Sequence, residues 1–165
     1  VARDTLIDFF RDIVTIRGDF LVYDDGYRRR AYTYEQVGRA ACGFAERLTA
    51  AGLGKGDKVV FWGENRPEWI ACYWGCLIAG VIVVPIDYRS SPDFVLKVRR
   101  IVDAKVILLG EDIPGWGELA GTKERRRGVP VDLAQWQFAD LDWKADGPMP
   151  RVAISRDDVI QIIFT

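Results

Sequence analysis

The stretch Lys58 to Gly110, KVVFWGENRPEWIACYWGCLIAGVIVVPIDYRSSPDFVLKVRRIVDAKVILLG, alternates short apolar runs with helical segments. KVVFWG, VIVVPID and KVILLG are continuous apolar runs, the pattern of strands buried on both faces of a parallel sheet. ENRPEWIACYWGCLIAG carries Pro67 in its first turn and is apolar nearly all round, which predicts a deeply packed helix. Ahead of DFVLKVRRIVDA, Ser91 is a good N-cap and Pro92 suits the first helical position, with Phe94, Val95, Val98, Ile101 and Val102 as the inner face. Strand, helix, strand, helix, strand predicts right-handed crossovers. The result is an α/β fold, a parallel sheet flanked by helices, with its βαβαβ core at 57–109.

Upstream, residues 1–52 read as helix, hairpin, helix. Leu6, Phe9, Phe10, Ile13 and Ile16 recur at helical spacing, with Asp4 or Thr5 to cap the start and Gly18 to end it. Two β-type runs, Phe20 to Tyr23 and Arg29 to Tyr32, flank Asp24-Asp25-Gly26, where Asp-Gly is expected to supply positive φ angles. Thr33 and Gln36 match a capping box, and Val37, Ala41, Phe44, Ala45 and Leu48 line one helical face up to Gly52.

Downstream the pattern loosens. Residues 110–150 read as loop-rich, with one strand near Val129 to Leu133, and the final run at 157–165, DDVIQIIFT, resumes the sheet. Chain ends are normally frayed and polar, yet this one is apolar to Phe164, and the chain opens on Val1 rather than Met. The expectation is a piece of something longer.

Composition excludes several classes. A hydrophobic share of 49%, a charged share of 28% and a net charge of -1 describe an ordinary globular domain rather than a disordered chain or a nucleic-acid binder. No apolar stretch reaches the roughly 20 residues that span a bilayer, and no secretory leader is evident, so a cytoplasmic setting is expected. With no histidine at all, the Ser-His and Cys-His pairs and His-based zinc sites cannot be completed within these residues. Cys42, Cys72 and Cys76 read as small buried side chains, since two thiols four apart on a helix are too few ligands for structural zinc.

Other signals carry bland readings. GLGKGD follows a helix and precedes a strand, the reverse of a phosphate-cradling order, and reads as a turn. GWGELAG has the wrong spacing and reads as a surface loop. Arg28 to Arg30, Arg99-Arg100 and Arg125 to Arg127 read as solvated faces, and Trp62, Trp69 and Trp74 as core packing.

Three stretches in order resemble the start of the adenylate-forming enzymes, the AMP-dependent synthetase and ligase superfamily. They are AYTYEQVGRAACGFAERLTAAGLGKGDKVVFWGENRPEW, CLIAGVIVVPIDYRSSPDF and DDVIQIIFT. VVPIDYRSSPDF and DFLVYDDGYRRRAYTY look most like bacterial long-chain fatty-acyl-coenzyme A synthetases. The resemblance implies that 1–165 is the N-terminal part of a large AMP-binding domain. The last strand would then lead into a Ser-, Gly- and Thr-rich loop, closed by lysine, that holds ATP phosphates.

The implied activity is ligation of a fatty or related carboxylic acid to coenzyme A through an acyl adenylate, with ATP, Mg²⁺ and CoA used by the full-length enzyme and none held tightly by this chain. Thr165 matches the first residue of the phosphate loop and is the one residue carried over, as an ATP-phosphate neighbour. Asn65 to Trp69, with Pro85, Asp87 and Arg89, match family motifs and are read as architectural. No catalytic or metal-binding residue is assigned, and the chain alone is expected to be inactive and prone to self-association. The alternatives are a ligase loading a carrier protein and a non-catalytic interaction module of the same fold.

Overall fold

A computed structural model describes residues 3–116 and 133–165. Its elements are α1 (Leu6–Ile13), β1 (Asp19–Asp24), β2 (Arg29–Thr33), α2 (Tyr34–Ala50), β3 (Lys58–Trp62), α3 (Pro67–Ala79), β4 (Ile82–Ile86), α4 (Pro92–Val102), β5 (Val106–Leu109) and β6 (Ala134–Gln137). A 3-10 turn at Phe138–Asp140 follows β6.

Strands β4, β3, β5 and β6 form one parallel sheet in that order, with Val59 opposite Val83 on one side and Val106 on the other. Alternate side chains feed two cores. Val59, Phe61, Val83, Val106 and Leu108 pack with α1, α2 and α3, whereas Val60, Trp62, Val84, Ile107 and Leu109 pack with α4. The sheet is therefore covered on both faces, as its continuous apolar strands require. Helices α2 and α3 approach so closely that a Cβ on Gly75 would lie 2.7 Å from the Ala41 carbonyl oxygen.

Local chemistry sets the element ends. Thr5 and Asp8 form a capping box on α1, and Thr33 and Gln36 form the expected one on α2. Ser91 Oγ accepts from the Phe94 amide at the start of α4. At the turn read from GLGKGD, Gly52 (φ 80°) and Gly56 (φ 88°) take the left-handed conformation between helix and strand.

Several expectations need correction. Helix α1 stops at Ile13, well short of Gly18, because Ile13 to Ile16 are all β-branched and the chain tightens to Thr15 N–H to Asp12 O and Ile16 N–H to Ile13 O bonds. Its buried residues are Ile7 and Phe10, while Leu6 and Phe9 are about half exposed. On α4 the inner face is Val95, Leu96, Val98, Arg99 and Val102, leaving Phe94 and Ile101 exposed. In the hairpin only Gly26 has positive φ. The Asp25 carboxylate caps the turn by accepting from the Tyr27 and Arg28 amides, which hold its pKa below the ordinary carboxylate value.

Arg99 is buried, not solvated, and its Nε donates to the Ala104 carbonyl at 2.9 Å, closing the C-terminal end of α4. The strand expected near Val129 to Leu133 falls mostly on residues outside those described. The observed β6 follows directly, at Ala134–Gln137. Arg125 to Arg127 and most of GWGELAG also lie outside the described residues.

The final run does not form a full strand. A parallel bridge joins Gln161 to Val83, with Val83 N–H donating to Ile160 O and Ile162 N–H to Val83 O, both at 3.0 Å. The next ladder donor on that side of β4 would be residue 85, a proline without an N–H. Strand alternation is broken here as well: Ile160 packs against the core under α3, whereas Ile162, two residues on, packs with Phe164 against the core under α4.

Candidate functional site

Neighbouring parallel strands β3 and β4 send their helices to opposite faces, because α3 packs in one core and α4 in the other. The two outgoing loops therefore part at the carboxyl edge of the sheet, the end at which open α/β sheets take ligands. A crevice of about 530 Å³ lies there, lined by Gly63, Glu64, Asn65 and Trp69 after β3 and by Pro85, Asp87 and Tyr88 at the end of β4. On the other side of β3, a Cβ on Gly63 would sit 2.8 Å from Gly110 Cα, where Gly110 N–H donates to Trp62 O.

The loops that shape this edge are tied by charge. Arg66, the N-cap of α3, spans from Glu111 (2.9 Å) to Glu64 (3.4 Å), joining the loops after β3 and β5. Asp87 accepts the Arg89 amide at 2.8 Å, and that bond, then the Arg89 guanidinium, holds its carboxyl below the usual range. Trp69 packs edge-on against Phe61 and stacks on Tyr73. Of the residues read as architectural, Asn65, Trp69, Pro85 and Asp87 line the crevice.

Thr165 is exposed. It lies four residues beyond the Val83–Gln161 bridge, past the end of the ladder. The three tryptophans are divided by the sheet. Trp62 is fully buried on the α4 side, edge-on to Trp116, whereas Trp69 and Trp74 lie on the other side, with Trp74 stacked on Phe10.

One feature of the edge escaped the sequence reading. Glu68, in the first turn of α3, is only 9% exposed, and its Oε2 is buried without a partner. An acid inside an otherwise apolar helix was the signal. The thiols of Cys72 and Cys76 are buried, and that burial pushes both pKa values well above the ordinary thiol range. They are neutral and poorly nucleophilic at pH 7.

Among the described residues, no group of three or more His, Cys, Asp or Glu is placed to hold a metal ion, and no helix is long and apolar enough to cross a membrane. A second cavity, about 540 Å³ and largely apolar, lies at the start of α1 against Leu77, Ile154 and Ile160. It shares no lining residue with the crevice at the ends of β3 and β4.

The family model described as AMP-binding enzyme matches residues 11–165. A feruloyl-CoA synthase from Amycolatopsis sp is 36% identical over 135 residues, covering 82% of this chain and 26% of the relative. A fatty acid--[acyl-carrier-protein] ligase, ScoC, from Streptomyces coeruleorubidus is 29% identical over 115 residues, 68% of this chain and 22% of the relative. The chain therefore spans about a quarter of the length of these relatives. Among solved structures, a Mycobacterium tuberculosis fatty acyl CoA synthetase superposes with TM-score 0.67 at 23% identity, over 82% of this chain and 27% of that one. That likeness bears on the fold.

Proposed function

This chain belongs to the AMP-binding enzyme family, and we propose that it serves an ATP-dependent ligase that activates a fatty or related carboxylic acid and passes it to coenzyme A. In the first step a carboxylate oxygen attacks the α-phosphorus of ATP, forming the acyl adenylate and expelling pyrophosphate. In the second, the thiol sulfur of coenzyme A attacks the acyl carbon and AMP leaves. Charge develops on phosphoryl oxygens in the first step, so positioned donors and the Mg²⁺ that accompanies ATP supply the stabilisation. The observation that carries this reading is the crevice at the carboxyl ends of β3 and β4, in a chain matched by the family model along nearly its whole length.

Thr165 takes the role of an ATP-phosphate neighbour, its hydroxyl and amide both able to donate to a phosphate oxygen. Its place four residues beyond Gln161, on a segment that leaves the Val83 bridge parallel to β4, supports that placement. No residue of this chain is given a catalytic or metal-binding role. The 165-residue chain alone is inert, a reading supported by its spanning only about a quarter of the relatives' length.

A long-chain acid is the proposed substrate and the cytoplasm the proposed setting. A carrier protein as acyl acceptor is the second reading, favoured by the match to the carrier-protein ligase. Incubating the full-length protein with ATP, acids of graded chain length, and either CoA or an acyl-carrier protein separates the two. Acyl-CoA formation peaking with long-chain acids is the expected result. Acylated carrier without acyl-CoA would replace the first reading with the second.

The outer edge of the final segment leaves Val159 at 58% and Ile163 at 66% exposure, which supports self-association of the isolated chain. Sedimentation as a clean monomer at high concentration would count against it.

A further inference from the structure

We propose that the cavity between the β1–β2 hairpin and the carboxyl edge of the sheet binds a small primary ammonium compound anchored on the Glu68 carboxylate. The cavity measures about 260 Å³, and Arg30, Tyr32, Glu68, Glu111, Phe138 and Trp143 are in its wall. Glu68 is nine-tenths buried, and Oε2 has no hydrogen-bond partner. The other oxygen lies 3.8 Å from Arg30 Nη1, beyond hydrogen-bond reach. A buried carboxylate oxygen left without a donor is costly, so this one calls for an N–H or O–H group.

Of the guanidiniums nearby, Arg30 reaches Glu68 only across that ion-pair distance, and Arg66 is engaged elsewhere. Arg66 is held by Glu111 and Glu64, and both Arg30 and Arg66 lie over the Tyr23 ring, at 5.4 and 6.0 Å from its centroid. Counting the charged residues of the wall, Glu64, Glu68 and Glu111 against Arg30 and Arg66, one negative charge is left over. That surplus selects a singly charged cation over an anion. Tyr32 and Trp143, stacked with centroids 3.9 Å apart, and Phe138 add aromatic surface beside the carboxylates. Aromatic faces with a carboxylate suit an organic ammonium. The volume, below the roughly 300 Å³ lower bound of drug-sized pockets, restricts the ligand to a small one.

This site is independent of the acid-activation reading, although Glu64 lines both the cavity and the crevice at the ends of β3 and β4. The test is a saturation-transfer NMR titration of the protein with n-butylammonium chloride, with tetramethylammonium chloride at equal ionic strength as a cation lacking N–H donors. Saturable binding of n-butylammonium is expected, roughly tenfold tighter than tetramethylammonium, and weakened roughly tenfold by Glu68→Gln in a variant with an unchanged circular dichroism spectrum. Absence of saturation in the unaltered protein overturns the proposal, whatever the variant does. Equal affinity for the two cations, or unchanged affinity in a folded Glu68→Gln protein, also overturns it.

Discussion

Gln161 is bridged in parallel register to Val83, and the bridge ends where β4 reaches Pro85. Val83 both donates and accepts across this edge, but Pro85 has nothing to donate to the Ile162 carbonyl. The last residues therefore run beside the sheet with one ladder step formed.

Substituting Pro85→Val supplies the missing N–H on the edge side of β4. The ladder should extend by one step, slowing hydrogen exchange at the Phe164 amide and raising stability by about 1 kcal/mol at most. Unchanged exchange at Phe164 would show that something other than Pro85 ends the ladder.

Gly75 is where α2 and α3 meet most tightly, with its hypothetical Cβ 2.7 Å from the Ala41 oxygen and 2.9 Å from Phe44 Cδ1. Gly75→Ala should destabilise the fold by about 1–3 kcal/mol through overpacking against backbone. Gly54→Ala, with open space around the added carbon, should stay within about 0.5 kcal/mol. Urea denaturation of the pair checks this, and equal midpoints would contradict the packing described.

Burial raises the folded-state pKa of Cys72 and Cys76, so native protein keeps both thiols neutral while unfolded chain ionises near pH 8.5. Their contribution to stability is fully present below that pH. It is lost above it, at about 1.4 kcal/mol per pH unit per thiol. The slope of unfolding free energy between pH 8.5 and 10 should flatten in a Cys72→Ala, Cys76→Ala protein. Thiol reagents at pH 8 should label neither residue until the chain is unfolded.

Thr165→Ala in the full-length enzyme should lower kcat/KM for ATP roughly tenfold to a hundredfold, the loss of one hydrogen bond to a charged oxygen. Thr165→Ser should recover most of it. A Thr165→Ala enzyme with wild-type kcat/KM for ATP would remove the residue from the phosphate site.

Much of the fold could be read from local chemistry. The apolar runs Val59 to Trp62 and Val106 to Leu109, the Thr33 and Gln36 capping box and the Ser91-Pro92 start all act within a few residues of chain, so pattern alone reveals them. Errors arose where distant contacts decide. Ala134–Gln137 is a polar-looking stretch that becomes a strand because β5 offers an edge, and Arg99 is buried because the Ala104 carbonyl needs a donor. Which face of α4 turns inward also depends on the sheet it meets. Site residues were harder still: Glu68 gains its character from Arg30 on a hairpin far away in sequence, a neighbour that no spacing rule supplies.

The central claim is that a carboxylic acid is activated on ATP as an acyl adenylate. ATP–pyrophosphate exchange by the full-length protein tests it most directly, with a panel of long-chain fatty acids and aromatic acids added one at a time. Exchange should require an added acid and be absent from the 165-residue chain. A folded full-length protein that gives no acid-dependent exchange with any member of the panel would contradict it.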